Sequence, residues 1–132
     1  MENQLDEVLK SLDLEYFATG EYRIEFEQFL KMKEKGKAMM LDVRTDEEAE
    51  VCQLAFAKHI PINELPDRLG ELPKDKLIVP FCASSVRAAI ALVYLNAVGF
   101  DDVRMYVGKI SDLTSNLMPP HVSNHYDVLK EI

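Results

Sequence analysis

The sequence predicts an α/β protein in which a parallel sheet is covered by helices on both faces. Short apolar runs such as Ala38–Asp42 and Leu77–Cys82 are typical of buried strands. Between such runs, apolar residues recur at helical spacing. The connections are short enough for right-handed strand–helix–strand crossovers, which produce parallel sheets. Binding sites in these sheets lie at the C-terminal ends of the strands.

The N-terminal part of the chain is predicted to be mainly helical. Apolar residues at helical spacing indicate an amphipathic helix from Asn3 to Leu14, which we expect to pack on the domain's own surface rather than bind a partner. Thr19-Gly20 ends this pattern. A short edge strand at Tyr22–Ile24 and a helix from Glu25 to Lys35, closed by Gly36, are predicted next.

The strand at Ala38–Asp42 is followed by a predicted helix start. Thr45 and Glu48 have the spacing of a capping box, and we expect the acidic residues there to form a solvated first turn. The next predicted elements are a strand at His59–Ile62 and a short helix at Glu64–Leu69.

A second buried strand begins at Leu77 and ends at Cys82. It includes Pro80, which cannot donate a hydrogen bond to a neighbouring strand, so we expect a local irregularity near the strand's end. The elements predicted after it are a helix to about Val98, a strand at Val103–Val107, a helix from about Ile110 to Leu117 and a short helix at Tyr126–Ile132.

Composition limits the classes of function. The 132 residues suffice for one hydrophobic core, and the longest apolar run falls short of the roughly 18 residues of a spanning helix. The net charge of −8 repels nucleic acids and acidic membranes. The acidic N-terminus differs from a secretory signal, so we expect a cytoplasmic protein.

Cysteine and histidine usage predicts neither a metal site nor a cofactor. Cys52 and Cys82 are the two cysteines, which are too few for a disulfide framework or a four-thiolate site. His121 and His125 are four residues apart, but Pro119-Pro120 weakens a helix there. We therefore expect surface histidines.

The loop after the second strand carries the strongest chemical signal. Cys82 stands at the end of the strand, directly before a short loop and a helix N-terminus, where backbone N–H groups and the helix dipole favour an anion. Arg87 adds a positive charge at the far end of the loop. Such surroundings lower the pKa of a thiol, so we expect Cys82 to be a reactive thiolate.

Several segments together resemble a single rhodanese-like sulfurtransferase domain. Leu41–Arg44 matches the family's LDVR, His59–Leu65 its NIPLDEL segment, and Ile78–Ala88 its apolar strand, cysteine, loop and arginine. Gly99–Gly108 is similar to the family's closing segment, and the resemblance covers about residues 22–117. It implies a three-layer rhodanese-like fold with a five-stranded parallel sheet flanked by helices on both faces.

The resemblance also implies an activity. Cys82 matches the cysteine that carries sulfane sulfur as a persulfide and passes it to a thiol or another nucleophilic acceptor. Arg87 matches the arginine that often closes the loop, and Asp42 and Arg44 match a supporting pair, one structural and one facing the pocket. The loop that would cradle the anionic sulfur consists of Ala83, Ser84, Ser85, Val86 and Arg87.

Two other functions use a loop of this kind. A phosphatase or arsenate reductase of the Cys-loop-Arg type has five residues between the cysteine and the arginine, whereas four separate Cys82 from Arg87, which favours sulfur chemistry. The other is a non-catalytic or redox-sensing protein-binding module of the rhodanese type, in which Cys82 is oxidised or merely inherited. Modules that have lost activity commonly lose the cysteine, so the presence of Cys82 and Arg87 argues against this alternative. The loop departs from the family at Ser85, where glycine is common, and at Ala83, where many members carry arginine.

The predicted organisation is one domain with two extensions. Residues 1–20 form an N-terminal helical extension, residues 21–118 the rhodanese-like domain, and residues 119–132 a C-terminal tail. The expected partners are a small sulfur donor or a persulfidated protein and a thiol acceptor, with no nucleic acid and no membrane. The residues leave the identity of donor and acceptor, and the oligomeric state, open.

Overall fold

The computed structural model describes residues 4–132, which form helices packed on both faces of a parallel sheet. The α-helices are α1 (Gln4–Ser11), α2 (Leu14–Thr19), α3 (Phe26–Glu34), α4 (Asp46–Val51), α5 (Val86–Ala97), α6 (Ile110–Thr114) and α7 (Pro119–Leu129). The strands are β1 (Ala38–Asp42), β2 (Ala57–His59) and β3 (Leu77–Phe81). Short 3₁₀ helices cover Ile62–Asp67, Leu69–Glu71 and Ser115–Leu117. None of these helices combines the length and the apolar character that a membrane crossing requires.

The sheet has three strands within the described residues, in the order β2-β1-β3, and all are parallel. Met40 of β1 lies opposite Ala57 of β2 and Val79 of β3. The predicted fold class is confirmed as α/β with a parallel sheet, but the prediction of five strands is wrong. The segments Tyr22–Ile24 and Val103–Val107 form only isolated parallel bridges, which pair Ile78 with Val103 and Arg23 with Met105.

Pro80 explains why the segment beside β3 is not a regular strand. Ile78 donates its N–H to the Asp102 carbonyl and accepts from the Arg104 N–H, both at 3.1 Å, which completes one parallel bridge. The next bridge needs an N–H at position 80 that donates to the Arg104 carbonyl, and proline has none. Because the Tyr106 N–H still donates to the Pro80 carbonyl at 3.0 Å, the segment stays beside β3.

Side chains of the strands alternate between two cores on opposite faces of the sheet. The α3-side core contains Met40 and Phe81 from the strands, packed with Phe29 and Leu30 of α3. Phe29 and Phe81 are fully buried. Helix α3 therefore packs directly on β1 and β3.

The α5-side core covers the other face. It contains Leu41, Ile78 and Cys82 from β1, β3 and the residue after β3, packed with Ala91 and Leu95 of α5. Helix α1 packs against the outer surface of α5. Cys82, the first residue of the loop after β3, is thus buried in the α5-side core.

The N-terminal helix is shorter than the predicted Asn3–Leu14, of which Asn3 lies outside the described residues. It ends at Ser11, because Asp13 starts a new helix by accepting a hydrogen bond from the Tyr16 N–H at 2.9 Å.

The strand predicted at His59–Ile62 is also displaced, since β2 ends at His59 and a 3₁₀ helix begins at Ile62.

The C-terminal helix begins earlier than predicted. Pro119 and Pro120 occupy its first turn, where a missing N–H costs no helical hydrogen bond. The expectation that they weaken a helix at His121 and His125 is therefore wrong, and both histidines belong to α7. The backbone of His125 is non-helical, with φ −127°, so α7 is kinked there.

Candidate active site

Cys82 directly follows β3 and is 3% exposed. Its Sγ accepts a hydrogen bond from the backbone N–H of Ala88, at 3.3 Å. Ala88 is the third residue of α5, and the N–H groups of the first helical turn carry the positive end of the helix dipole. The start of α5 therefore favours negative charge on the sulfur of Cys82.

Ser85 shapes the loop between Cys82 and α5. Its φ of +79° lies in the left-handed region, and it is the one non-glycine residue among positions 4–132 with a positive φ. This conformation explains why glycine is common at this position of the family. Ser85 Oγ accepts a hydrogen bond from the Gly108 N–H at 2.9 Å and donates to the Gly108 carbonyl at 3.2 Å. These two bonds fix the strained residue against a neighbouring segment.

That neighbouring segment precedes α6. Gly108 has a φ of +143°, and a Cβ at this position would lie 3.2 Å from Oδ2 of Asp112. The Ile110 N–H donates to the carbonyl of Ala83 at 2.9 Å. The loop after Cys82 is thus attached by its backbone and by Ser85 to the start of α6.

Arg87 forms a bidentate ion pair with Glu48 of α4. Nη1 and Nη2 of Arg87 lie 2.6 and 2.9 Å from Oε1 and Oε2 of Glu48. Hydrogen bonds from Arg87, and secondarily from Thr45, lower the pKa of Glu48 to about 2 although burial opposes this shift. The same pair raises the pKa of Arg87, and the nearby Cys82 contributes to that rise. The guanidinium is therefore permanently charged, and it is paired with a carboxylate in the neighbourhood of Cys82.

Glu48 was not predicted as part of the site. The capping box with Thr45 is confirmed, since the Glu48 N–H donates to Thr45 Oγ1 at 3.2 Å. The expected solvated first turn is only part of the role of this residue, because its carboxylate, 37% exposed as a side chain, also reaches Arg87. The two residues are 39 positions apart, so local sequence patterns carry no signal for their contact.

Asp42 and Arg44 form a buried ion pair at the end of β1. Nε and Nη2 of Arg44 donate to Oδ1 and Oδ2 of Asp42 at 2.9 and 2.7 Å, and both side chains are 3% exposed. Burial acts to lower the pKa of Arg44, but the hydrogen bonds and charge of Asp42 raise it overall. Arg44 also donates to the carbonyls of Glu48 and Cys52, at 3.4 and 2.7 Å. The structure places this guanidinium against the end of α4.

The two cysteines belong to different cores. Cys52 is the residue after α4 and packs on the α3-side core, whereas Cys82 lies in the α5-side core. Both are free thiols. The sheet therefore lies between the regions in which they pack.

The remaining loop residues line a cavity. Ser84 and Val86 are exposed. With Ser85 they form one side of an apolar cavity of about 460 Å³. Its other walls include α5, Tyr16 and Phe17 of α2, and Met105. The N-terminal helices thus extend the surface next to the loop.

Comparison with known proteins supports the resemblance. A putative sulfurtransferase of Bacillus subtilis, YtwF, is 33% identical over 84 residues, which cover 61% of this chain and 82% of that protein. A tRNA sulfurtransferase of Vibrio cholerae is 28% identical over 83 residues, or 60% of this chain. The match spans only 17% of the Vibrio protein.

Among solved structures, a rhodanese-related protein of Thermoplasma volcanium matches with a TM-score of 0.56 and 28% identity, over 66% of this chain and 86% of that one. The Rhodanese-like domain family matches residues 25–116, which include β1, the Cys82 loop and α5. This match covers more than half of the sequence. The chain therefore belongs to the rhodanese-like domain family.

Proposed function

We propose that this protein is a sulfurtransferase in which Cys82 carries sulfane sulfur as a persulfide. The observation that carries the proposal is the position of Cys82 Sγ, which follows a parallel strand and accepts the Ala88 N–H at the start of α5. An anionic sulfur is favoured there. The sulfurtransferase names of similar proteins, including that of Bacillus subtilis, support the same class of reaction.

The proposed reaction begins when the Cys82 thiolate attacks the sulfane sulfur of a small donor or of a persulfidated protein. A new S–S bond forms, the S–S bond of the donor breaks, and the donor leaves with the electron pair as sulfite or as a thiolate. Cys82 then carries a persulfide whose terminal sulfur is anionic. The Ala88 N–H and the positive end of the α5 dipole support stabilisation of that charge.

In the second step an acceptor thiolate attacks the terminal sulfur of the persulfide. The bond between the two sulfur atoms on Cys82 breaks, and its electron pair returns to Cys82 as a thiolate. The acceptor leaves as a persulfide. Sulfane sulfur and electrons balance over the two steps, so the cycle needs no cofactor.

Arg87 stabilises the negative charge in both steps, and Glu48 holds it in place. The bidentate contact fixes the guanidinium plane. The Glu48 carboxylate also offsets part of the positive charge that an anionic donor meets at the loop. Ala83 adds no charge where many family members carry arginine, so we infer a weakly cationic loop.

Asp42 and Arg44 act through α4. Arg44 binds the carbonyls of Glu48 and Cys52 and is itself fixed by Asp42. These bonds set the position of α4, from which Glu48 reaches Arg87. We assign both residues a positioning role rather than direct contact with the sulfur.

The decisive test is the mass of the protein after incubation with thiosulfate or with a persulfide donor. The wild type and Cys52→Ser should gain one sulfur atom, and Cys82→Ser should gain none. A gain that survives Cys82→Ser would overturn the assignment. If the wild type gains no sulfur from any donor, the domain is a binding module instead.

A further inference from the structure

Three side chains with metal-ligating chemistry converge outside the Cys82 site. Glu27 lies on α3, and His121 and His125 lie on α7. One ligand atom from each can be chosen so that all three lie within 4.8 Å of one another. We propose that Glu27, His121 and His125 form a binding site for a divalent transition-metal ion, for which Zn²⁺ fits the ligand set well.

The existing geometry is close to that of a bound state. His121 Nε2 lies 2.8 Å from Oε1 of Glu27, and the ring centroids of His121 and His125 are 4.5 Å apart. Ligand atoms about 2.1 Å from a tetrahedral zinc ion lie about 3.4 Å from one another. Binding of the ion requires side-chain rotations, because the three ligand atoms now lie within 4.8 Å of one another rather than about 3.4 Å apart. Two imidazoles and a carboxylate suit Zn²⁺ or Ni²⁺ better than Mg²⁺ or Ca²⁺.

The helices that present these ligands are fixed relative to each other. The ring of Phe26, a buried residue of α3, lies 6.2 Å from the ring of His121. At the other end of the contact, Nζ of Lys33 donates to the carbonyls of Val128 and Glu131. Residues at both ends of α3 therefore hold α7 in place around the three ligands.

The contact between His121 and Glu27 does not account for the whole arrangement. His125, on the kinked turn of α7, brings a second imidazole to the same point. A cation bound by all three groups explains why they converge.

Metal binding at this site would stabilise the folded state. Glu27 and His121 are 94 positions apart, so the ligands come together only when α3 and α7 are packed. An ion that binds the folded chain alone raises its stability by mass action. The three ligands lie on α3 and α7, outside the Cys82 loop and α4, so we expect sulfur transfer not to require the ion.

The test is a calorimetric titration of ZnCl₂ into the full chain carrying Cys82→Ser, which removes a competing thiolate. We expect one ion per chain. His121→Ala, His125→Ala and Glu27→Gln should each weaken zinc binding at least about tenfold, since even an indirect partner of a metal ligand contributes about 10- to 100-fold. Zinc should also raise the melting temperature, and this rise should be lost in His125→Ala.

Two variants serve as matched controls for the loss of zinc binding. Glu34→Gln makes the same change on an exposed residue of α3, and His59→Ala removes the remaining histidine. Both should bind zinc as tightly as their parent. Because Glu27 is exposed, Glu27→Gln should keep its fold even if a histidine variant does not. Unchanged affinity in Glu27→Gln, or the lack of heat and of thermal stabilisation at millimolar zinc, would overturn the proposal.

Discussion

Ser85 combines a strained backbone with two compensating hydrogen bonds. A left-handed conformation costs an L-residue roughly 1–2 kcal/mol. Each of the two bonds between its hydroxyl and Gly108 is worth about 1 kcal/mol. The two contributions are similar, which explains how serine can occupy a position suited to glycine.

Substitutions at Ser85 can separate these two contributions. Ser85→Ala loses the bonds and keeps the strain, whereas Ser85→Gly loses the bonds and relieves the strain. We expect the alanine variant to be less stable than the glycine variant by about 1 kcal/mol in urea unfolding. Equal stability of the two variants would show that the left-handed conformation carries no cost here.

Arg87 should control the reactivity of Cys82. Arg87→Ala removes the cation and leaves the Glu48 carboxylate without its partner, and both changes disfavour a thiolate. We expect alkylation of Cys82 by iodoacetamide at neutral pH to slow by roughly fivefold. The control is Arg68→Ala, which breaks a similar ion pair with Glu71. An equal loss of rate in both variants would contradict a specific role for Arg87.

The ion pair between Glu48 and Arg87 should make stability depend on pH. The pKa of Glu48 falls from 4.5 to about 2 on folding, so the stabilisation is complete above pH 4.5 and is lost as the pH falls towards 2. Because the Glu48 side chain is 37% exposed, we expect no more than about 1 kcal/mol. Thermal unfolding should find Glu48→Gln less stable than wild type at pH 7 and equal to it near pH 2. A difference in stability between Glu48→Gln and wild type that stays constant from pH 7 to pH 2 would contradict this role of the ion pair.

At the scale of elements, Pro80 keeps the segment Val103–Val107 from forming a regular strand beside β3. Pro80→Val supplies the missing N–H opposite the Arg104 carbonyl. We expect this new amide to exchange slowly with deuterium, as the bonded amides of Arg104 and Tyr106 should. The net change in stability should stay below about 1 kcal/mol, because the variant gains a hydrogen bond and loses the rigidity of proline in the unfolded chain. Fast exchange at position 80 would show that something other than Pro80 interrupts the strand.

At the scale of the whole molecule, the sheet lies between the regions where the two thiols pack. Cys52 contacts the α3-side core and Cys82 the α5-side core. Cys52→Ser should therefore leave sulfur transfer nearly intact and lower the free energy of unfolding by about 1 kcal/mol, because a hydroxyl replaces a partly buried thiol.

Two results would contradict that separation. One is a Cys52→Ser variant that forms the Cys82 persulfide but does not turn over. The other is a link between Cys52 and Cys82 in oxidised wild type, detected by peptide mapping. Either result would indicate a two-thiol mechanism, with Cys82→Ser as the control that forms no persulfide.

Much of the fold is encoded locally and could be predicted. Apolar runs, a capping box at Thr45 and the motif from Ile78 to Ala88 predict the strands β1 and β3, the starts of α4 and α5, and the position of Cys82 between them. These features depend on residues close together in sequence, where periodicity and capping act directly. The α/β class and the rhodanese-like family follow from them.

The sequence by itself determined the fold class, the family and the cysteine that begins the loop, because each depends on contiguous residues. Only the tertiary structure decided which charged side chains form ion pairs. Glu48 with Arg87 and Glu27 with His121 are pairs 39 and 94 positions apart, and packing of whole helices brings them together. The extent of the sheet was also decided in three dimensions, since the effect of Pro80 depends on which strand faces its missing N–H.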